Sequence, residues 1–572
     1  MAPTSVLPGA PAACHPPGAH DSENGCVVPG RCRDRGPRVN GFDAIVVGAG
    51  LAGCLMARDL AAGGLRVAVL EAGPERTAAD ILPDDGRPTT QSDRRRFARA
   101  GQPVQARNEL FAEHNRGFYV EDRRHPYLAD QPFLWFRGRQ VGGRSILWSR
   151  ACLRMSDREF VPHPGVNDWE NWPFGHAELA PFYARVEREL RVTGDACGLE
   201  AIPDGAFVAT AATSPRIDAV LERVCRRDPA LQATRARTAA LDRTPVPGLL
   251  HEAIRHGAEL FADSPVERIL VAPNSRAASG VEIVRPDGTR RTVPGRVVVL
   301  CASTIETVRI LWQSRSEAHP HGLGNHGDRL GRGVQDHLAV NCAGRLTPDL
   351  RVFPHRSLAD SADPWREEPA HVLVWGREPR AAHQDTPPID CLASVSLSPH
   401  RATWSMLVLG SSRPLPENRI TVERSPDDRI DSIVPRITLA RTADDVDRLA
   451  MLGRFTQRVI RAGGLGGIGA TWMHRIVHQA VPQWALARCA REPGAVIHET
   501  GGARMGVDPA ESVVDPSGRC WGADNVFVAD GSVFPSSGFQ NPTLTILALA
   551  ARTAEHILSD RSARQAPESD RP

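Results

Sequence analysis

Residues 42–53 read Phe42-Asp-Ala-Ile-Val-Val47-Gly48-Ala-Gly50-Leu-Ala-Gly53, and a second apolar run, Arg66-Val-Ala-Val-Leu70, ends at Glu71. A continuous apolar run of this length marks a strand buried on both faces of a parallel sheet. Glycines at this spacing give a tight turn, let backbone approach a pyrophosphate, and let the next helix pack closely on the strand. That helix, expected through about Gly64, turns backbone N–H groups and the positive end of its dipole toward the phosphates. Glu71 stands where a carboxylate accepts hydrogen bonds from both ribose hydroxyls. The reading is strand, glycine turn, helix, strand: a Rossmann-type site for an ADP moiety, built on Gly48, Gly50, Gly53 and Glu71.

The far end of the chain supplies different chemistry. It carries His498-Glu-Thr-Gly-Gly502-Ala-Arg-Met-Gly506, then Val528-Ala-Asp530-Gly531-Ser532, then Gln540-Asn541-Pro542-Thr543-Leu-Thr545. A histidine and an asparagine stand amid glycines, where backbone can approach a flat cofactor. Imidazole has a pKa suited to taking a proton near neutral pH. The bland alternative is a helix-capping His498 and a turn-forming Asn541 before proline. A helix after Pro542 would aim its N-terminal dipole at a ring that gains negative charge on reduction, with Thr543 as a donor there. Asp530-Gly531 closes a strand at a turn, and either touches the cofactor or simply opens a helix.

At 572 residues the chain exceeds a usual single core, so at least two lobes are expected. Apolar and charged contents of 41% and 24% are those of a soluble globular protein. All 69 basic side chains are arginine; they balance 67 acidic ones to +2, without the basic cluster that a nucleic-acid partner requires. Cys14, Cys26 and Cys32, with His15, fit no standard zinc spacing, and no His/Asp/Glu cluster has metal-ligand spacing, so no metal is expected. Cys54, Cys152 and Cys301 lie in apolar runs and read as small core residues. There is no Gly-x-Ser-x-Gly elbow of a serine hydrolase. The first forty residues lack the apolar stretch of a signal peptide, and no segment reaches the length of a membrane span, so a cytoplasmic protein is expected.

Between the two motif regions, 75–130 is polar and reads as solvated loop, and Leu179–Leu190 as a helix. Strands are expected at 259–261, 266–271, 280–284 and 296–300, the last entering a helix with Ser303 as cap and Glu306 completing a capping box. Segments near 338–345, 370–376, 390–397, 404–410 and 433–440 suggest an antiparallel sheet, and helices return at 443–462 and from Asn541 to Ile557. His163, His176, His337 and His474 read as surface or packing residues. Trp169, Trp172, Trp472 and Trp484 read as core, with a sugar platform as the alternative.

Arg137-Gly138-Arg-Gln-Val141-Gly142-Gly143-Arg144-Ser145 adds a second glycine-rich segment, and with the blocks above it resembles the glucose–methanol–choline (GMC) family of FAD-dependent alcohol oxidoreductases. Asn325, Gly331, Asp336-His337 and Arg413-Pro-Leu-Pro416-Glu-Asn418-Arg419 resemble further blocks of that family, so the likeness runs from about 42 to 558. Gly142–Trp148 and Gln540–Thr543 resemble the sugar-oxidising branch that includes pyranose 2-oxidase. There a histidine just before the tryptophan binds the flavin covalently; here that place is Leu147, which implies noncovalent FAD.

The resemblance implies that Arg137, Gly142, Gly143 and Ser145 lie beside the flavin, that Val266 touches the adenine through its backbone, and that Asp530, Gly531, Asn541 and Thr543 complete the site. It implies His498 as base, Asn541 as anchor for the substrate oxygen, and hydride transfer to flavin N5. The substrate is expected to be a sugar, glycoside, aminocyclitol or other polyhydroxylated alcohol, and the electron acceptor oxygen or a quinone. An FAD-containing lyase and a flavin subunit of an electron-transfer complex are the alternatives. The expected architecture is α/β (α+β overall), between a disordered head at 1–40 and tail at 561–572. A Rossmann-type FAD lobe is drawn from 41–165, 251–335 and 495–560. A substrate lobe, an antiparallel sheet with helices, is drawn from 166–250 and 336–494.

Overall fold

The computed structural model describes residues 41–76, 89–161, 171–240, 245–272, 275–285, 287–351, 371–379, 387–398, 402–425, 433–466 and 489–560. The expected disordered head and tail lie outside these residues. So do Cys14, His15, Cys26, Cys32, His163, Trp169, Trp472, His474 and Trp484.

Strand β1 (Phe42–Val47) leads through the glycine turn into helix α1 (Leu51–Ala62) and then β2 (Val67–Leu70). Every residue of β2, and all of β1 except Asp43, is buried, as a central parallel strand requires. After a long excursion the chain adds β3 (Glu259–Phe261), parallel to β2. Next come β4 (Val266–Val271), β5 (Ala278–Val284) and β6 (Arg290–Leu300). β6 does two things along its length. Residues 290–294 pair antiparallel with β5, whereas the 295–300 half runs parallel to β1, with Leu300 level with Val47.

The polar stretch 75–130 departs from the expected loop. It contains α2 (Gln91–Arg99), capped by a reciprocal Thr90–Asp93 box, and a small core of Phe97, Ala106, Phe111 and Tyr119. Phe97 meets Phe111 edge-on at 5.2 Å. These apolar residues are too far apart in sequence to show a helical period, so the polar majority dominates the reading.

A second core forms on the other sheet. Strands β7 (Leu338–Arg345), β8 (His371–Glu378), β9 (Ile389–Leu397) and β10 (Thr403–Gly410) pair antiparallel in the order β7-β10-β9-β8, with the short strand Gln232–Arg235 added beside β8. The expected fifth strand goes elsewhere: β12 (Ile433–Thr438) pairs with β11 (Arg419–Arg424) and with Leu128–Ala129 in a separate three-stranded sheet. The helices Pro215–Arg227 and Ala443–Gly463 cover the five-stranded sheet, packing Val220 and Val224 with Leu452, Phe455 and Val459 in one apolar cluster. The longer helix starts at a Thr442–Asp445 capping box and stops at Gly464, whose φ of 64° continues no helix.

The last strand, β13 (Val526–Val528), returns to the first sheet and lies parallel to β6, with Val528 level with Leu300. The terminal helix Thr543–Ser559 packs on α1 and on the helix His176–Glu189. Among the described residues no helix is long and apolar enough to cross a membrane. The structure is thus a mixed α/β fold, a Rossmann-type sheet plus an antiparallel sheet covered by helices.

A Cβ on Gly53 would stand 1.9 Å from the Gly48 carbonyl oxygen, whereas one on Gly50 meets nothing within 4 Å. Gly53→Ala is therefore expected to lower stability by about 1–3 kcal/mol or more of overpacking strain. Gly50→Ala should leave the melting of flavin-free protein unchanged. Thermal melts of the two variants check both outcomes.

Candidate active site

Because Val47, Leu300 and Val528 lie level, the chain leaving each strand falls on one edge of the sheet. Gly48 turns there with φ 100°, close enough to Cys301 that a Cβ would meet its carbonyl oxygen at 2.6 Å. Gly50 precedes α1 and opens onto free space. The second glycine segment docks on the first: Gly142 N donates to Ala49 O at 2.9 Å, and a Cβ on Gly143 would lie 3.7 Å from Gly50 Cα. Ser145 Oγ donates to Gly142 O at 2.6 Å, holding the turn in which Gly142 and Gly143 both take positive φ. The result is a glycine-walled gap at a helix N-terminus, where a diphosphate fits.

Glu71 closes one end of this gap. Its Oε2 accepts from Ala49 N at 2.9 Å and its Oε1 from Gly73 N at 3.0 Å. Each oxygen keeps further acceptor capacity for a ribose hydroxyl. Burial pushes its pKa up to about 6, against the pull of those N–H groups. Two expected cofactor residues are engaged with the protein itself. The Arg137 guanidinium lies 4.0 Å over the Trp135 ring and donates to His125 O. Val266 O already accepts from Arg309 at 2.9 Å.

Asp530 also works inward. Its carboxylate accepts from Ser532 N and Oγ and, at 2.5 Å, from Thr307 Oγ1. That leaves backbone, not side chain, to meet a cofactor. Gly531 O accepts from Gly501 N at 3.0 Å and so joins this turn to the segment after His498. Thr543 is the first residue of the terminal helix, two positions after Asn541.

The catalytic candidates come together. Asn541 Nδ2 lies 3.2 Å from His498 Nε2, and His498 Nδ1 lies 2.7 Å from His337 Nδ1. His337, expected to be a packing residue, therefore belongs to the site; its ring meets that of His498 edge-on, with centroids 4.8 Å apart. Its Nε2 lies 2.7 Å from Gly538 O. The preceding residue, Asp336, accepts from Gly494 N at 2.6 Å, from its neighbour His337 N, and from His498 N at 3.3 Å. Its carboxylate thus pins the loop that turns through Ile497, a β-branched residue at φ 63°. The only signal in the sequence was the adjacency of Asp336 and His337.

Electrostatics favour a neutral imidazole. Burial, then His337 and Arg144, holds His498 well below the ordinary value, and burial takes His337 down to about 4. Burial, with Glu499 nearby, lifts Asp336 to about 7. Arg144 pairs with Glu499 Oε2 at 2.6 Å, while Glu499 Oε1 is buried without a partner. Arg144 also donates to Ser303 Oγ at 2.9 Å. This overturns the expected capping box. Ser303 sits at φ 72° and ψ 152°, its side chain makes no cap bond, and Glu306 pairs with Arg309 at 2.6 Å instead.

The gap left by open glycines, the ribose-ready carboxylate and the orphaned Glu499 oxygen suit a polyhydroxylated dinucleotide. Models of GMC oxidoreductases match residues 42–339 and 414–550. The chain belongs to the GMC oxidoreductase family. It is 27% identical to paromamine 6'-oxidase of Streptomyces fradiae, over 91% of this chain and 92% of the relative. It is 26% identical to 6'''-hydroxyparomomycin C oxidase of Streptomyces lividus, over 91% and 93%. The crystal structure of pyridoxine 4-oxidase from Mesorbium loti superposes with a TM-score of 0.61 at 21% identity, over 90% of this chain and 98% of that one. This GMC oxidoreductase is an FAD-dependent enzyme that acts on CH–OH groups.

Ser303 occupies a backbone region open essentially to glycine alone, at a cost of about 1–3 kcal/mol. Ser303→Gly and Ser303→Ala both lose the Arg144 hydrogen bond, but only the first relieves the backbone. The glycine variant is expected to melt higher than the alanine variant in differential scanning fluorimetry. The reverse order would mean that residue 303 is relaxed as it stands.

Proposed function

We propose that this enzyme oxidises a hydroxyl group of a polyhydroxylated, amino-sugar-type substrate to the carbonyl, with His498 as the base. The observation that carries the reading is His498 Nε2 facing the Asn541 amide nitrogen at 3.2 Å. A substrate oxygen seated beside the pair, within reach of both, would give its proton to Nε2 and accept a hydrogen bond from Asn541 Nδ2. Both relatives named above are oxidases of aminoglycosides, which supports the substrate class and favours oxygen over a quinone as electron acceptor.

FAD, when bound, supplies the hydride acceptor. Gly48, Gly50, Gly142 and Gly143 would hold its diphosphate, with Gly53 letting the helix pack against the turn, Ser145 fixing the second turn, and Glu71 holding its adenosine ribose. The Asp530-Gly531 backbone, Thr543 and the N-terminus of the last helix would lie along the flavin. Attachment is noncovalent: Leu147 offers no nucleophile and packs against the Phe97–Phe111 cluster. Arg137 would lie beside the flavin and Val266 would meet the adenine through its backbone, as the family resemblance implies.

Anaerobic stopped-flow reduction with a panel of aminoglycosides, glycosides and sugars tests the reading. His498→Ala is expected to slow flavin reduction by about 10²–10⁴-fold, the usual worth of a positioned base. Asn541→Ala should slow it by about 10²–10³-fold, as for loss of one oxyanion donor. Because His498 is held below the ordinary imidazole value, the acid limb of kcat/KM should fall below pH 6.5, with a plateau through neutral pH. Full-speed reduction in the His498→Ala variant would remove the assignment.

A further inference from the structure

We infer that His337 is the positioning residue of the reaction: it holds His498 in the one tautomer that can act as a base. The inference rests on the reading of His498 as base.

The hydrogen-bond chain leaves one assignment. Gly538 O can only accept, so His337 Nε2, 2.7 Å away, must carry a proton. In a neutral ring its Nδ1 then has a lone pair. His498 Nδ1, 2.7 Å from that lone pair, must therefore donate. A neutral His498 protonated at Nδ1 has its lone pair at Nε2, which faces the Asn541 amide. The proton order thus runs in one direction from Asn541 to the Gly538 carbonyl. Reversing the His498 tautomer would set two lone pairs against each other at Nδ1 and point an N–H at the Asn541 amide donor.

The proton step balances within these residues. The substrate O–H bond breaks, oxygen keeps the electron pair, and the proton joins His498 Nε2. The His498 Nδ1–H bond to His337 then becomes charge-assisted, shorter and about twice as strong. In hydrolytic triads a carboxylate takes this place and holds the histidine tautomer. Here the nearby carboxylate, Asp336, is committed to the backbone N–H groups of Gly494, His337 and His498. A neutral imidazole stands in the orienting position instead.

Two amide substitutions separate this role from simple packing. An asparagine places its amide oxygen where imidazole Nδ1 was and can accept from His498. A glutamine places its amide where Nε2 was and can bond Gly538 but not His498. Anaerobic flavin reduction should therefore be largely kept in His337→Asn and fall about 10²–10⁴-fold in His337→Gln, with flavin content and melting temperature equal in the two. Equal rates, or a faster Gln variant, would overturn the inference and leave His337 as a support for the Gly538 turn. If His337→Asn and His337→Gln fall together while His498→Ala stays fast, it is the base reading that fails. Should neither variant fold, ¹⁵N-histidine NMR of the wild-type holoenzyme decides. An unprotonated Nε2 at His498, identified by its loss in His498→Ala, supports the role; a protonated one refutes it.

Discussion

Strand β6 lies between β1 and β13, and the parallel register across these three strands governs where the chemistry falls. Cys301 N donates to Val47 O at 2.8 Å and Ala529 N to Leu300 O at 2.9 Å, so the strands end level with one another. Whatever follows them is delivered to the same edge: the fingerprint glycines after β1, the start of the next helix after β6, the Asp530 turn after β13. β13 is only three residues long, but Val526, Phe527 and Val528 are all buried to within 1%. At roughly 1.5–3 kcal/mol for each large apolar side chain removed from water, three residues suffice to hold the C-terminal segment in place. The Asp530 carboxylate then locks the turn to the helix after β6 through Thr307, and Gly531 carries the constraint on to Gly501.

Of six described non-glycine residues with positive φ, two stand at the candidate site and four (Arg150, Arg191, Asp263 and Asp328) lie elsewhere. Ser303 and Ile497, neither of them glycine, both have positive φ, and both lie within the site. Strain of this kind persists only where surrounding contacts over-determine the conformation. For Ile497 those contacts are the N–H groups gathered by Asp336; for Ser303 they are Arg144 and, through it, Glu499. Asp336 is buried for the sake of the backbone, and its raised pKa reflects the cost of keeping a carboxylate there.

The Rossmann unit was legible because its signals are local: an apolar run, glycines at fixed spacing and an acidic residue at the next strand end all fall within thirty residues. The pairing of His498 with Asn541 was legible through whole motifs. What escaped depends on contacts distant in sequence. His337 lies 161 residues from His498 and becomes informative only when β7 is placed beside the loop at 489–498. Ser303-x-x-Glu306 has the spacing of a capping box, but the side chain is drawn away by an arginine on another loop, 159 residues off. Strand Gln232–Arg235 has no apolar alternation of its own and joins the sheet by pairing with β8. Local pattern fixes local structure; the polar contacts of a site are settled by topology.

On the proposed reading of His498 as base, a neutral partner suits the charge arrangement around it. A carboxylate on Nδ1 would favour the imidazolium, and each unit of raised pKa is worth 1.36 kcal/mol. Enough of it would leave the base protonated before the substrate arrives. With His337 in that position, and with burial and Arg144 opposing positive charge, His498 stays unprotonated at neutral pH. On that reading a base held so low is a weak acceptor, so the substrate oxygen would have to be stabilised as it gains charge. The Arg144 guanidinium opposes a cation at His498, and its ion pair with Glu499 tempers that effect. An alcohol becomes a far better hydride donor once its oxygen carries that negative charge.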